Sequence, residues 1–304
     1  MEKNTNKKAR LIAYYLPLFH SIPENDEHWG VGFTEWTNVA KAKQLYKGHY
    51  QPFLPTYLGY YDLRLAETRK AQADMAREYG IEGFCYWHYW FGNGKRVLET
   101  PFNEVVKSGE PNFPFSLRWA NHSWTAIWVG DTKTVILEQV YAGVDDYTKH
   151  FNELLTSFKD DRYIKVDGKL LFSIFAPKAI TNYKEFTDTW RKPSSEAGLP
   201  GFYFVGMGVE KGDLNELGLD AFTPYAPHSL VFKLPIKLKD KFTYNLFRKS
   251  YIEFKPKVLK VPRVYDYKDV VELAQKQKYA VVTKDVPANT VAGGIPAKII
   301  KILK

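Results

Sequence analysis

Residues 81–90 read Ile-Glu-Gly-Phe-Cys-Tyr-Trp-His-Tyr-Trp. After Glu82 the run carries no charge and shows no alternation of polar and apolar positions. A strand of that kind is apolar on both faces, which is how strands of a covered parallel sheet read. The preceding stretch, Leu63–Tyr79, has helical spacing and ends at Gly80, a good C-terminal stop. Working outward, the same alternation recurs. Strands are predicted at Arg10–Phe19, Phe115–Asn121, Leu170–Phe175, Phe202–Met207 and Ala221–Tyr225, with helical patterns at Tyr147–Phe158 and Lys268–Gln277. Near-continuous apolar strands alternating with helices predict an α/β fold.

No Gly-x-Gly-x-x-Gly follows the first strand, which argues against a dinucleotide fold. Gly92-Asn93-Gly94-Lys95 has neither the spacing nor the Ser/Thr of a phosphate loop. What repeats is aromatic and His or Asn chemistry where strands end: Leu16-Pro17-Leu18-Phe19-His20, Trp87-His88-Tyr89-Trp90, Trp119-Ala120-Asn121-His122 and Tyr225-Ala226-Pro227-His228. In a (β/α)8 barrel those ends converge on one face and form the active site. The expectation is therefore a (β/α)8-type (TIM-like) barrel, incomplete at about six βα units.

The 304-residue, 35.2 kDa chain is long enough for such a domain. One cysteine, Cys85, excludes an intramolecular disulfide framework and a Cys-rich zinc module. No apolar run approaches a membrane span, and the basic start followed by the Pro17-broken Leu11–Phe19 is not a signal-peptide pattern. The expected location is cytoplasmic, peripheral at the inner membrane face. The formal charge is +9, and Lys233–Arg263 holds ten Lys/Arg against Asp240 and Glu253, so roughly +8 of it sits there. That stretch reads either as a solvated insertion (230–263) or as a surface for anionic lipid or a phosphate-bearing substrate. No nucleic-acid motif accompanies it, and no nucleic-acid partner is expected.

Aromatic residues reach 16%. Flat rings beside His, Asn and carboxylates suit a carbohydrate: the rings stack on C–H faces while polar groups orient hydroxyls. For a single indole such as Trp36 or Trp190, core packing is the simpler reading; Trp87, Trp90, Trp119, Trp124 and Trp128 together point to sugar. The seven histidines include no i, i+4 pair and have no partner cysteines, so no metal or other cofactor is expected. His49 and His150 read as structural; His88, His122 and His228 each end a predicted strand. The carboxylates near strand ends are Glu35, Glu138 and Glu210, and Glu35 stands in the aromatic loop Gly32-Phe33-Thr34-Glu35-Trp36, where a loop-ordering salt bridge is its alternative role. The candidate set is Glu35, His88 and His122 for catalysis. Trp36, Trp87, Tyr89, Trp90, Asn121, Trp124, Trp128 and His228 are the candidates for substrate binding.

With these residues assembled, the chain resembles the WbsX-like glycosyltransferase family, related to glycoside hydrolase family 99. The resemblance rests on Ile22-Pro23-Glu24-Asn25-Asp26, on Trp29 to Asn38, on Gly80 to Phe91, on Trp119 to Trp124, and on Asp161-Arg162-Tyr163-Ile164 with Asp167-Gly168-Lys169. It covers about residues 9–277. It implies a (β/α)8 barrel, a sugar donor, a glycan or lipid-linked glycan acceptor, and a role in lipopolysaccharide O-antigen or capsular polysaccharide synthesis. A mannosidase-type hydrolase and a non-catalytic glycan-binding remnant are the alternative readings.

Two departures stand out. His122 and Ile127 occupy places where the family often has Glu and Arg, and the family's Asn-Glu-Trp-x-Glu-Gly segment has no counterpart here. That segment matches the acid/base pair of the related hydrolases, so the resemblance leaves Glu35 as the remaining acid/base candidate and activity in question. Residues 281–298 resemble instead the C-terminal end of hexapeptide-repeat acyltransferases, although no hexapeptide repeats precede them. The expected organisation is a basic N-terminus (1–9), a glycan-processing barrel (10–278) and an acyltransferase-like tail (279–304) resembling the last coil of a left-handed β-helix, a chimera joined near Lys278.

Overall fold

The computed structural model describes residues 10–44, 49–126, 131, 133–209 and 213–223, with the backbone of 290–293 and 298–302. In chain order these form β1 (Ile12–Tyr15), α1 (Pro23–Trp29), α2 (Glu35–Lys41), α3 (Ala66–Glu78), β2 (Gly83–Trp90), β3 (Arg96–Val97), α4 (Thr100–Ser108), β4 (Phe115–Trp119), β5 (Trp124–Thr125) and β6 (Val135–Leu137). There follow α5 (Val144–Phe158), β7 (Lys165–Val166), β8 (Lys169–Ile174), α6 (Tyr183–Glu196), β9 (Phe202–Met207), α7 (Asp213–Leu217), β10 (Ala221–Thr223), β11 (Thr290–Gly293) and β12 (Lys298–Ile302).

The sheet runs β1-β2-β4-β8-β9-β10, every pair in that order parallel, with β3 and β7 as short antiparallel additions. Neighbours in the sheet are successive in the chain, and a helix lies between each pair. This is the order of six units of a (β/α)8-type barrel. All six strands predicted from sequence are present, with the first shortened to Ile12–Tyr15. The predicted helix at Lys268–Gln277 lies outside the described residues. In the tail, β11 and β12 pair antiparallel.

Side chains alternate across each strand, and the two faces are chemically distinct. Tyr15, Phe84, Tyr86, Phe115, Leu117, Trp119, Phe172, Ile174 and Phe204 share one buried cluster with α4, α5 and α6 through Phe102, Val105, Phe151, Leu154, Phe158, Phe186 and Trp190. Trp190 is fully buried and donates its indole N–H to the Tyr147 carbonyl at 3.0 Å. The chain passes so close at the start of β2 that a Cβ on Gly83 would meet the Pro114 carbonyl oxygen at 2.5 Å.

The opposite face is concave and carries Tyr14, Trp87, Arg118, Ser173 and Met207. The register sets Trp87, Arg118 and Ser173 side by side on β2, β4 and β8. Arg118 reaches Tyr14 and Met207, each two strands away across an intervening neighbour. A flat sheet would hold those strands about 10 Å from its own, so the contacts require curvature. Among the described residues no helix is long and apolar enough to cross a membrane.

Candidate active site

Glu35 opens α2. Asp26 holds the loop before it by accepting the Gly32 and Phe33 amides at 2.9 and 3.1 Å. Thr34 caps the helix, its hydroxyl oxygen accepting the Trp36 amide at 3.2 Å while its own amide donates to Thr37 Oγ1 at 3.3 Å. The Glu35 amide donates to the Leu18 carbonyl at 3.2 Å, which ties the loop to the end of β1. Among the described residues no ion pair of Glu35 is found. Burial raises its carboxyl above the usual value, opposed by a hydrogen bond from Asn38. Its charge is felt at Tyr89, whose phenol is raised first by burial and then by Glu35.

Tyr89 meets Trp124 edge-on at 5.3 Å, and Phe91 meets Trp124 at 5.5 Å. These rings belong to a second cluster with Leu18, Ile22, Val97, Leu98 and Ala120, with Trp87 packed at its side. From Trp87 an aromatic row continues along the concave face: Phe175 lies 5.6 Å away, and His122 packs on Phe175 at 4.8 Å. His122 keeps solvent access, yet the protein crowds it enough for desolvation to hold its imidazole below the ordinary value. Glu35, Tyr89, Trp87, Trp124 and His122 are thus brought to the C-terminal side of the parallel strands.

Other expected site residues are placed elsewhere. His88 does not end its strand, which continues to Trp90, and its side chain faces the helices. It is buried against His150 of α5, Nε2 to Nε2 at 2.7 Å. Trp90 points the same way, stacking on His150 at 4.7 Å and donating to Asp146 at 3.0 Å. Strand alternation is the reason: residues 86, 88 and 90 share the face opposite to 85, 87 and 89. Trp36 packs on Phe19, Tyr60 and Tyr61 and gives its N–H to the Tyr61 carbonyl at 2.9 Å. Asn121 is fully buried and pins the end of β4 to the end of β8, accepting the Ala176 amide at 2.7 Å and donating to the Ala176 carbonyl at 2.8 Å. It also donates to the Tyr141 hydroxyl at 3.0 Å. Trp128, His228 and Glu210 lie outside the described residues, as does the basic stretch 233–263.

Sequence reasoning passed over Arg118, Tyr14 and Phe175. Arg118 had a readable signal, as the single charge inside Phe115-Ser-Leu-Arg-Trp119, a strand otherwise suited to complete burial. It is fully buried on the concave face. Among the described residues no group of three or more His, Cys, Asp and Glu could hold a metal ion.

The family model described as "Glycosyltransferase WbsX" matches residues 11–292. The chain is 35% identical over 221 residues to an uncharacterized protein, WxcX, of Xanthomonas campestris pv. campestris, a match covering 72% of this chain and 32% of that one. This chain therefore spans about a third of the length of that relative. Among solved structures, a glycoside hydrolase-like protein aligns with a TM-score of 0.47 at 12% identity, over 83% of this chain and 69% of its own. The endo-alpha-mannosidase of glycoside hydrolase family 99 from Bacteroides thetaiotaomicron in complex with BIS-TRIS-propane aligns with a TM-score of 0.42 at 14% identity, over 71% of this chain and 58% of its own.

Proposed function

This chain belongs to the WbsX glycosyltransferase family, and from that premise we propose that it acts on a sugar bound along the concave face, transferring a glycosyl group in the synthesis of lipopolysaccharide O-antigen or capsular polysaccharide. The observation that carries the reading is the juxtaposition of Glu35, its carboxyl raised by burial, with Tyr89 and the neighbouring aromatic residues at the strand ends. A carboxyl whose pKa is moved toward the working pH is suited to general acid/base work. In the transfer the bond from the anomeric carbon to the donor's leaving group breaks, and a bond to the acceptor oxygen forms. Glu35 takes the acceptor's proton as positive charge develops on the sugar ring. Trp87, Phe175 and Trp124 offer faces for the sugar's C–H groups, and His122 offers a hydrogen bond from the exposed end of the row.

The donor would be an activated sugar and the acceptor a glycan or lipid-linked glycan. The basic stretch 233–263 suits contact with an anionic leaflet from the cytoplasmic side. The test is incubation of the purified chain with a panel of sugar nucleotides and glycan acceptors, read by mass spectrometry. Extension of an acceptor that Glu35→Gln abolishes supports the reading. Free sugar appearing in water without an acceptor would replace transfer by hydrolysis. Sugar binding with no turnover, indifferent to Glu35→Gln, would leave a glycan-binding protein.

A further inference from the structure

Arg118 has a property that a packing role does not explain. It is fully buried, and among the described residues no carboxylate pairs with it. Its Nη2 donates to Ser173 Oγ at 3.0 Å and its Nη1 to Met207 Sδ at 3.7 Å, while Nε has no hydrogen-bond partner. The guanidinium lies 4.2 Å from the centroid of the Tyr14 ring and 5.4 Å from that of Trp87. Such cation–π contacts offset part of the cost of burying a charge, and a thioether sulfur is a weak acceptor. Among the described residues the titratable groups that bear on this charge are Tyr14 and Cys85, and burial raises both, so neither supplies an anion at neutral pH.

Resting on the sugar-binding reading above, we propose that Arg118 receives the carboxylate of an acidic sugar, a uronate-type residue of the donor or acceptor, with Trp87 beside it to stack on the sugar ring. A single guanidinium balances a single negative charge and presents a planar fork to a planar carboxylate. A diphosphate carries more charge than one guanidinium neutralises. Arg118 itself has no accessible surface, so the carboxylate reaches the guanidinium by displacing the Tyr14 ring that lies over it, a ring that keeps 37% of its surface accessible, while Trp87 and Phe175 remain half-buried beside it.

The experiment titrates the full chain, followed by tryptophan fluorescence and thermal melting, with methyl glycosides of glucuronate, galacturonate and mannuronate. The matched neutral glycosides and inorganic phosphate are titrated in parallel. The expected result is that one acidic glycoside binds about tenfold or more tighter than its neutral partner. Arg118→Met should abolish that difference and leave neutral binding within about threefold. Arg118→Lys, which keeps the charge and loses the fork, should weaken the preference with little change in melting. Equal binding of acidic and neutral glycosides overturns the inference and leaves the sugar-binding reading standing. A response to phosphate alone also overturns it, and silence toward every glycoside overturns both. The comparison on the unaltered chain decides the matter even if Arg118→Met does not fold.

Discussion

The imidazoles of His88 on β2 and His150 on α5 meet Nε2 to Nε2 at 2.7 Å, inside the layer between sheet and helices. Only one of the two nitrogens can donate, so the pair holds at least one neutral ring. Burial holds both imidazoles well below the ordinary histidine value, and each is lowered further by charge, His88 by His150 and then Arg96, His150 by Arg96.

Acid should therefore unfold this protein through that pair. In the unfolded chain both rings take up protons near pH 6.5, while in the folded chain they do so only at lower pH. Stability is thus full above about pH 6.5 and falls as pH drops below it, by up to about 1.4 kcal/mol per pH unit for each histidine. Urea melts between pH 8 and pH 5 measure the slope. His150→Phe should flatten it, and an unaltered slope in that variant would refute the assignment.

Glu35→Gln should lower turnover by about 10²- to 10⁴-fold, the range of a lost general acid/base. The folded-state pKa of Glu35 is raised, so its contribution to stability is present at low pH and lost as pH rises through that value. The Gln variant should accordingly melt no lower than the parent at pH 7. A large drop in melting temperature together with lost activity would identify Glu35 as a structural residue.

Asn121→Ala should destabilise by about 1–2 kcal/mol, because it leaves the half-buried amide and carbonyl groups of Ala176 without these partners. Denaturant unfolding reads the loss. A change under about 0.5 kcal/mol would mean that these hydrogen bonds are replaced by others.

Trp190→Ala removes a fully buried indole that meets Phe172 at 4.7 Å, Phe186 at 4.9 Å and Phe202 at 5.3 Å. The expected cost is about 3–5 kcal/mol, seen as a large fall in the urea midpoint. Trp36→Ala should cost less, since that indole is half-buried among Phe19, Tyr60 and Tyr61.

The strands were legible because length, apolar content and the glycines and helical patterns between them all agree in the sequence, and parallel order follows from the alternation with helices. Glu35, Trp87, Tyr89, Trp124 and His122 were legible as residues near strand ends, and the structure gathers them on one side. His88 and Trp90 were read into the same pocket and stand behind it. Arg118 was passed over although a charge within an apolar strand marks either an error of strand assignment or a buried function.

By itself the sequence determined the α/β class, the six parallel strands and the family. Only the tertiary structure decided which face of each strand is which. The reason lies in Gly83-Phe-Cys-Tyr-Trp-His-Tyr-Trp90, where every residue but Trp87 is buried. A strand covered on both sides has no polar alternation to mark its phase, and a shift of one residue exchanges its two faces. Helix α5, packing through His150 and Phe151, claims His88 and Trp90. The alternation of strand side chains then leaves Trp87, Tyr89 and, on the next strand, Arg118 to the concave side.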